Sequence, residues 1–240
     1  MRAQVDLPDF GGRSGFEHAL LGKAFQLLLA DGRAVSPTRL AEALAAEPGR
    51  VDHALALLDR QGRIRRDPSG AVAGSHGLSV TPTRHELLLE REHGQERRYW
   101  TWCAWDAVGI LAALDASGRV RSTSLSSGAP ILVDFDHGRP RNGEPELVVF
   151  FADTDRCIPA TRSGEDSDCF AAGSVIDDWC PLVNFFENAE VAQAWAADHG
   201  VRGSAVPLAE ATEQGKAAWR RWIADRDQPG KPADQVGSQP

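Results

Sequence analysis

The residues best suited to chemistry lie in two short segments, each pairing a tryptophan with a cysteine. The first reads Tyr99-Trp100-Thr101-Trp102-Cys103-Ala104-Trp105-Asp106 and holds three of the chain's seven tryptophans. Its pattern puts Cys103 where a strand hands over to a helix. A thiol at a helix N-terminus meets free backbone N–H groups and the positive end of the dipole, which favour the thiolate. Asp106, three residues on, shares the helical face of Cys103. One segment therefore offers a soft nucleophile and a proton-carrying carboxyl in aromatic surroundings. The same residues also read as a buried cysteine beside an aspartate that caps a helix beginning at residue 107.

The second segment is Asp177-Asp178-Trp179-Cys180-Pro181-Leu182-Val183-Asn184-Phe185-Phe186. Cys180 is either a second reactive thiol or a core cysteine at a strand start. Pro181 disfavours helical backbone at the residue before it, so Cys180 is expected to be extended. The remaining cysteines, Cys157 and Cys169, fall in a long polar loop from Asp153 to Gly173, a length usually tied to function or mobility. They read as a flexible accessory thiol pair or as incidental loop residues. Their spacing does not fit the paired C-x₂-C ligands of a zinc finger or ribbon.

Positioning these groups requires two sets of elements. Apolar residues at Phe16, Leu20, Leu21, Phe25, Leu28 and Leu29 predict a helix ended by Asp31-Gly32. Ser36-Pro37 supplies an N-cap and first-turn proline for a second helix, with Leu40, Ala41 and Leu44 on one face. Val51 to Leu58 predicts a third. Ile64, Val72, Leu78 and Val80 then sit in short segments divided by glycine and proline, as in a hairpin or wing. Three helices and a hairpin suggest a winged-helix-like module over residues 15–82.

Residues 83–224 read as an α+β domain. Strands are expected at His85–Glu90, Arg98–Trp102, Arg119–Ser124, Ile131–Phe135, Leu147–Phe151, Leu182–Phe186 and Val201–Pro207. Helices are expected at Asp106–Leu114, Ala189–His199 (closed by Gly200) and Leu208–Ala224. The fold class is thus α+β, an N-terminal winged-helix-like module plus a mixed or antiparallel sheet domain with flanking helices. The Pro-, Gly- and Gln-rich stretch 225–240 reads as a disordered tail.

Composition narrows the function classes. A chain of 240 residues, 42% hydrophobic and 25% charged, suits an ordinary globular protein of one or two domains. Its formal net charge of -8 argues against a general nucleic-acid or anionic-membrane binder. No run approaches the roughly 18 apolar residues of a membrane helix, and Met1–Ser14 lacks the apolar core of a signal peptide. A cytoplasmic, reducing location follows as the expectation, with cysteines kept as thiols. The seven histidines show no paired metal spacing. A Gly-rich nucleotide loop and a Gly-x-Ser-x-Gly elbow are both absent from the sequence. A cysteine hydrolase would need a histidine near Cys103, for which His85 and His93 are the nearby candidates.

Taken together, Trp102-Cys103-Ala104-Trp105-Asp106, Ser127-Gly128-Ala129-Pro130, and Cys180 with Val183 and Phe185-Phe186 resemble the catalytic framework of the organomercurial (alkylmercury) lyase family. Trp195–His199, Arg33-Ala34-Val35-Ser36 and Leu40-Ala41 extend the resemblance to about residues 16–223. It implies that Cys103 and Cys180 bind mercury and that Asp106, also a weak potential ligand, manages the proton. Mercury(II) is soft and thiolate is the softest common protein ligand, so two cysteines select it over hard cations. Coordination by two thiolates makes the attached carbon basic enough to accept a proton from Asp106. On this reading mercury is substrate and product, and no organic or metal cofactor is needed. Soluble thiols or a mercuric reductase would receive the metal. Three features depart from the family pattern: Ser124 and Pro181 stand where some members have cysteine, and the loop holding Cys157 and Cys169 is long.

The competing reading is a thiol-based metal-sensing DNA-binding regulator, or a non-catalytic mercury carrier. The candidate recognition helix has Arg50 and Arg60 at its ends, opposed by Asp52 and Asp59, and the wing adds Arg63, Arg65 and Arg66. That is little phosphate-neutralising charge, so the module reads better as a cover for the catalytic domain.

Overall fold

The structure, a computed structural model, describes residues 15–91, 94–141, 146–153 and 174–224. The loop cysteines Cys157 and Cys169, His93 and the expected tail 225–240 lie outside the described residues.

The first described elements are three helices: α1 (Gly15–Asp31), α2 (Pro37–Leu44) and α3 (Pro48–Arg60). The predicted apolar face of α1 is the buried one, from Leu20 and Leu21 to Leu28 and Leu29. Gly32, at φ 66°, closes α1 by donating its N–H to the Leu28 carbonyl at 2.8 Å, a left-handed position that glycine adopts without steric cost. Ser36 caps α2 as expected, its Oγ accepting from Arg39 N at 3.2 Å. The short strands β1 (Ile64–Arg66), β2 (Val72–Ser75) and β3 (Leu78–Ser79) follow.

These strands join the sheet that carries the rest of the chain. β4 (His85–Glu90) pairs with β5 (Glu96–Thr101), and β6 (Gly118–Thr123), β7 (Pro130–Asp136) and β8 (Arg139–Pro140) complete the order β1-β2-β3-β5-β4-β6-β7-β8. Every pairing in it is antiparallel. A second antiparallel sheet has β9 (Val148–Ala152) between β10 (Asn184–Phe186) and β11 (Gly203–Pro207). Helices α4 (Ala104–Ala113), α5 (Ala189–Asp198) and α6 (Leu208–Ala224) pack on this framework. The architecture is α+β, as expected. Among the described residues no helix is long and apolar enough to cross a membrane.

Helix α4 is the centre of the core. All ten of its residues are buried, and it touches α6 and strands of both sheets. A helix apolar on every side is the form expected for one enclosed by neighbours. Trp105 at its start meets Phe151, Trp179 and Trp219 edge-on, with centroid distances of 5.7, 6.3 and 4.7 Å, the geometry that aromatic quadrupoles favour.

Two details differ from the sequence reading. Helix α4 starts at Ala104 with Cys103 as its N-cap, because the free N–H groups of the first turn are met by the Cys103 and Asp106 side chains together. Cys180 is helical (φ -54°, ψ -38°) and not extended. A π turn over Val175–Trp179 runs directly into a 3₁₀ turn at Cys180–Leu182, and the strand begins only at Asn184. The bonds Cys180 N–H to Val175 O and Val183 N–H to Cys180 O hold this backbone, outweighing the preference imposed by Pro181.

The α4–α6 crossing depends on two facing glycines. A Cβ added to Gly215 would lie 2.6 Å from the Gly109 Cα. Gly215→Ala should therefore lower the unfolding free energy by about 1–3 kcal/mol through overpacking, although alanine is the better helix former. Urea unfolding should show a lower midpoint at unchanged slope; an unchanged or higher midpoint would mean that the helices separate freely.

Candidate active site

Cys103 lies just past the end of β5, an interior strand of the large sheet, and is the N-cap of α4. Its Sγ accepts from Asp106 N–H at 3.4 Å, and Asp106 Oδ2 accepts from Cys103 N–H at 3.0 Å. This is a capping box with sulfur in the place usually taken by a serine or threonine oxygen. Asp106 thus takes part in capping and lies against the thiol, but from inside the first turn of a helix that begins at Ala104, not as the cap of one beginning at residue 107. Thr101 Oγ1 donates to the Cys103 carbonyl at 3.0 Å, and Ala104 N–H donates to the Val183 carbonyl at 3.1 Å. The second bond ties the head of α4 to the segment that follows Cys180.

Cys180 is delivered by the π turn. Ser174 braces that turn, its Oγ donating to Asp177 Oδ2 and its N–H to Asp178 Oδ2, each at 2.7 Å. Arg65 of β1 pairs with Asp177, and Trp179 Nε1–H donates to the Ala152 carbonyl at 3.1 Å. The turn is thus fixed to both sheets, and Cys180 is buried.

The two sulfurs and a carboxylate oxygen of Asp106 all lie within 4.8 Å of one another. Cys103 and Cys180 are free thiols. Gly77, at φ 82°, backs the carboxyl so closely that a Cβ there would sit 2.3 Å from Asp106 Cγ. Only glycine satisfies both the backbone angle and the approach.

Burial sets the protonation states. It raises the Asp106 carboxyl to about 7, against hydrogen bonds from the Cys103 thiol and from backbone N–H groups of Cys103 and Trp102. Cys103 is pushed well above the usual thiol value, first by burial and then by its contact with Cys180. The expected thiolate-favouring effect of the helix N-terminus is real but smaller: the Asp106 N–H lowers the Cys103 value and burial overrides it. At Cys180 the Cys103 hydrogen bond pulls the value down, while burial and the nearby Asp106 raise it, and the net shift is upward.

Asp106 and Cys180 open onto a pocket walled by Leu21, Trp102, Trp179, Trp219 and Trp222, with His76, Arg63 and Arg221 also on its surface. Cys103 lies behind, fully buried. Of these residues, Trp219, Trp222, Gly77 and His76 were not foreseen. The i, i+3 tryptophans of α6 carried a signal, since two large aromatics on one helix face must cover something. Gly77 read only as hairpin punctuation. His85, the hydrolase candidate, is a buried core residue, its Nδ1 2.9 Å from Ser122 Oγ and its ring edge-on to Phe185. Burial holds it near 3, so it stays neutral. Ser124 and Ser127 lie at the β6–β7 turn, where both hydroxyls donate to Glu187; the serine at 124 has a structural partner of its own.

Two buried thiols and a proton-bearing carboxyl at the edge of an aromatic pocket suit a soft, thiol-seeking metal compound that needs a proton. Comparison with known proteins agrees. The alkylmercury lyase family model matches residues 78–220. An alkylmercury lyase of Streptomyces lividans is 26% identical over 220 residues, covering 92% of this chain and 91% of that protein. One of Pseudomonas putida is 29% identical over 168 residues, covering 70% of this chain and 68% of its own length. A crystal structure of the mercury-bound form of MerB2 superposes with a TM-score of 0.72 at 20% identity, over 88% of this chain and 93% of that one, a likeness of fold. With sequence, fold and site in agreement, the chain belongs to the alkylmercury lyase family.

Proposed function

We propose that the chain cleaves the carbon–mercury bond of organomercurials by protonolysis, yielding a hydrocarbon and mercury(II), with Cys103 and Cys180 on the metal and Asp106 carrying the proton. The observation that supports this most is the mutual approach of two sulfurs and one carboxyl oxygen within 4.8 Å at a pocket of tryptophans. For a substrate R–Hg–X, Cys180 takes the metal first, because it lines the pocket and Cys103 lies behind it. Its sulfur–mercury bond forms as the mercury–X bond breaks, and its proton leaves with X. Cys103 then binds, giving its proton to Asp106. Two thiolates push electron density onto the carbon, Asp106 hands the proton to it, and R–H departs. Mercury stays in the +2 state throughout, so the cycle as written needs no redox partner and no cofactor. Two soluble thiols, or the dithiol of a reductase, would exchange for the cysteines and carry the metal away.

We read residues 15–82 as a winged-helix-like module that serves as a wall of the pocket. Leu21, Gly62, Arg63, His76 and Gly77 all line it, which supports a covering role over DNA reading.

Methane released from methylmercury in excess thiol should be lost in Cys103→Ala and Cys180→Ala and fall at least about a hundredfold in Asp106→Ala, in line with general acid–base contributions. Turnover persisting in either cysteine variant would remove the two-thiol mechanism.

The sign of the pH effect follows from Asp106 acting first as a base. Below about 7 the carboxyl already holds a proton and cannot take one from Cys103, so the rate should rise as pH passes upward through about 7. A profile flat from pH 6 to 8 counts against this role.

Gly77→Ala should displace the Asp106 carboxyl and depress turnover about tenfold or more while leaving mercury(II) binding by the two thiols intact. Equal loss of binding and turnover would point to general disruption instead.

A further inference from the structure

Cys180 is braced from before by Ser174, Asp177 and Trp179. Past it, the Val183 carbonyl meets Ala104, and a second hold lies at Asn184. The Asn184 amide turns back, its Nδ2 donating to the Pro181 carbonyl at 2.7 Å. The same side chain bonds His85, whose Nδ1 lies 2.9 Å from Ser122 Oγ. Ser122, His85 and Asn184 belong to β6, β4 and β10, so these bonds run from the large sheet to the small one. They end on the residue that follows Cys180.

Each link has a direction. Burial holds the His85 ring near 3 and therefore neutral, while the Asn184 contact pulls the other way. A partner that favours the protonated ring is an acceptor, so the Asn184 carbonyl oxygen takes a ring N–H. A neutral imidazole donates at one nitrogen and accepts at the other, so the Ser122 hydroxyl donates to Nδ1. All three donors point toward Pro181, an arrangement in which successive bonds polarise one another.

His85 is joined to the other thiol as well. Its backbone N–H donates to Thr83 Oγ1 at 3.2 Å, and Thr83 Oγ1 donates to the Thr101 carbonyl at 2.6 Å. Thr101 Oγ1 in turn donates to the Cys103 carbonyl at 3.0 Å. The ring of His85 is thus tied to the exit from Cys180, and its main chain to the approach to Cys103. Of the nine buried polar or charged side chains among the described residues, His85, Thr101, Ser122 and Asn184 are four. Apolar side chains would fill the same space without the need to keep every polar group bonded away from water. Their gathering between the two thiol segments therefore calls for a reason beyond packing. Building on the lyase reading above, we propose that His85 and Asn184 are positioning residues that set the distance between the Cys103 and Cys180 sulfurs. Neither lines the pocket. They key the backbone after Cys180 to the strands before Cys103, so that one mercury is met by both thiolates.

The test uses the purified full chain and the variants Asn184→Leu, His85→Leu and His85→Gln. Leucine removes the bonds at roughly similar volume, whereas glutamine at 85 keeps a donor for Asn184. One readout is methane release from methylmercury in excess 2-mercaptoethanol. The other is retention of bound mercury(II) against rising 2-mercaptoethanol, which reports grip by two sulfurs at once. Both leucine variants should lower kcat about tenfold or more, the scale on which outer partners of metal ligands act. KM should change less than about threefold, because the first capture needs Cys180 alone. Mercury(II) should leave these variants at about tenfold lower thiol concentration, and His85→Gln should recover most of both properties. Leu55→Ala, in the core of α3 and off the pocket, gauges plain destabilisation and should lower Tm while leaving kcat and mercury retention unchanged. The inference is overturned if the leucine variants hold mercury as the wild type does, or if His85→Gln loses as much as His85→Leu. It is equally overturned if Leu55→Ala reproduces the defects at a matching loss of Tm. Should the leucine variants not fold, Asn184→Asp replaces them, since it keeps an acceptor for His85 and lacks the donor to Pro181; mercury retention equal to the wild type again overturns the inference. Failure of the wild type to release methane would instead overturn the lyase reading, and mercury(II) retention would still decide the positioning role.

Discussion

Cys103 and Asp106 hold each other by reciprocal hydrogen bonds at the head of α4, and the placement of the other elements follows from keeping that pair dry and still. An ionised carboxyl removed from water loses its hydration, a cost that its hydrogen bonds only partly offset. The structure meets this cost by letting the carboxyl rise to about 7 and by making its capping bonds part of a helix that is buried throughout. The helix is in turn locked by its glycine crossing with α6. The candidate reactive groups and the core are therefore the same residues. A group proposed to take and return a proton at fixed geometry gains from a rigid, buried support.

The second thiol is supplied differently. Cys180 does not belong to a regular element but to the junction of a π turn and a 3₁₀ turn, backbone that recurs at functional sites. It is anchored through Trp179 to β9 and through Asp177 to β1. The two sulfurs thus approach from elements of different stiffness, one on a central helix and one on a braced connector.

Much of this was legible in the sequence, and the failures have physical causes. The periodic elements were plain: α1, α4 and α6 and the longer strands β4 to β7 lie within a few residues of where hydrophobic spacing put them, α4 by its continuous apolar run and the others by their alternation of buried and exposed positions. Ser36 and Gly32 marked their helix ends through local chemistry alone. Cys103, Asp106 and Cys180 stood out by residue type. What the sequence reading missed was partly an unusual local turn and partly long-range. The conformation of Cys180 is decided by hydrogen bonds to Val175 and from Val183, against the local rule for a residue before proline. Gly77 matters only because Asp106, distant in sequence, lies against it. The protonation states depend on burial, which the helix-dipole argument for Cys103 did not include.

The two-residue strand β3 has a significance beyond its size. It lies between β2 and β5, pairing Leu78 with Thr101 and Ser79 with Trp100, directly before the reactive cysteine. Were the N-terminal portion a detachable attachment, its loss would leave the remainder intact. Instead it would strip the partner from β5 and bare a row of unpaired amide and carbonyl groups, a template for chain-to-chain association. The first described third of this protein is thus joined to the rest by shared backbone hydrogen bonding in one sheet. Exchange of that portion between relatives would have to preserve the register of two residues, which makes this seam a poor site for natural recombination or for the grafting of engineered fusions.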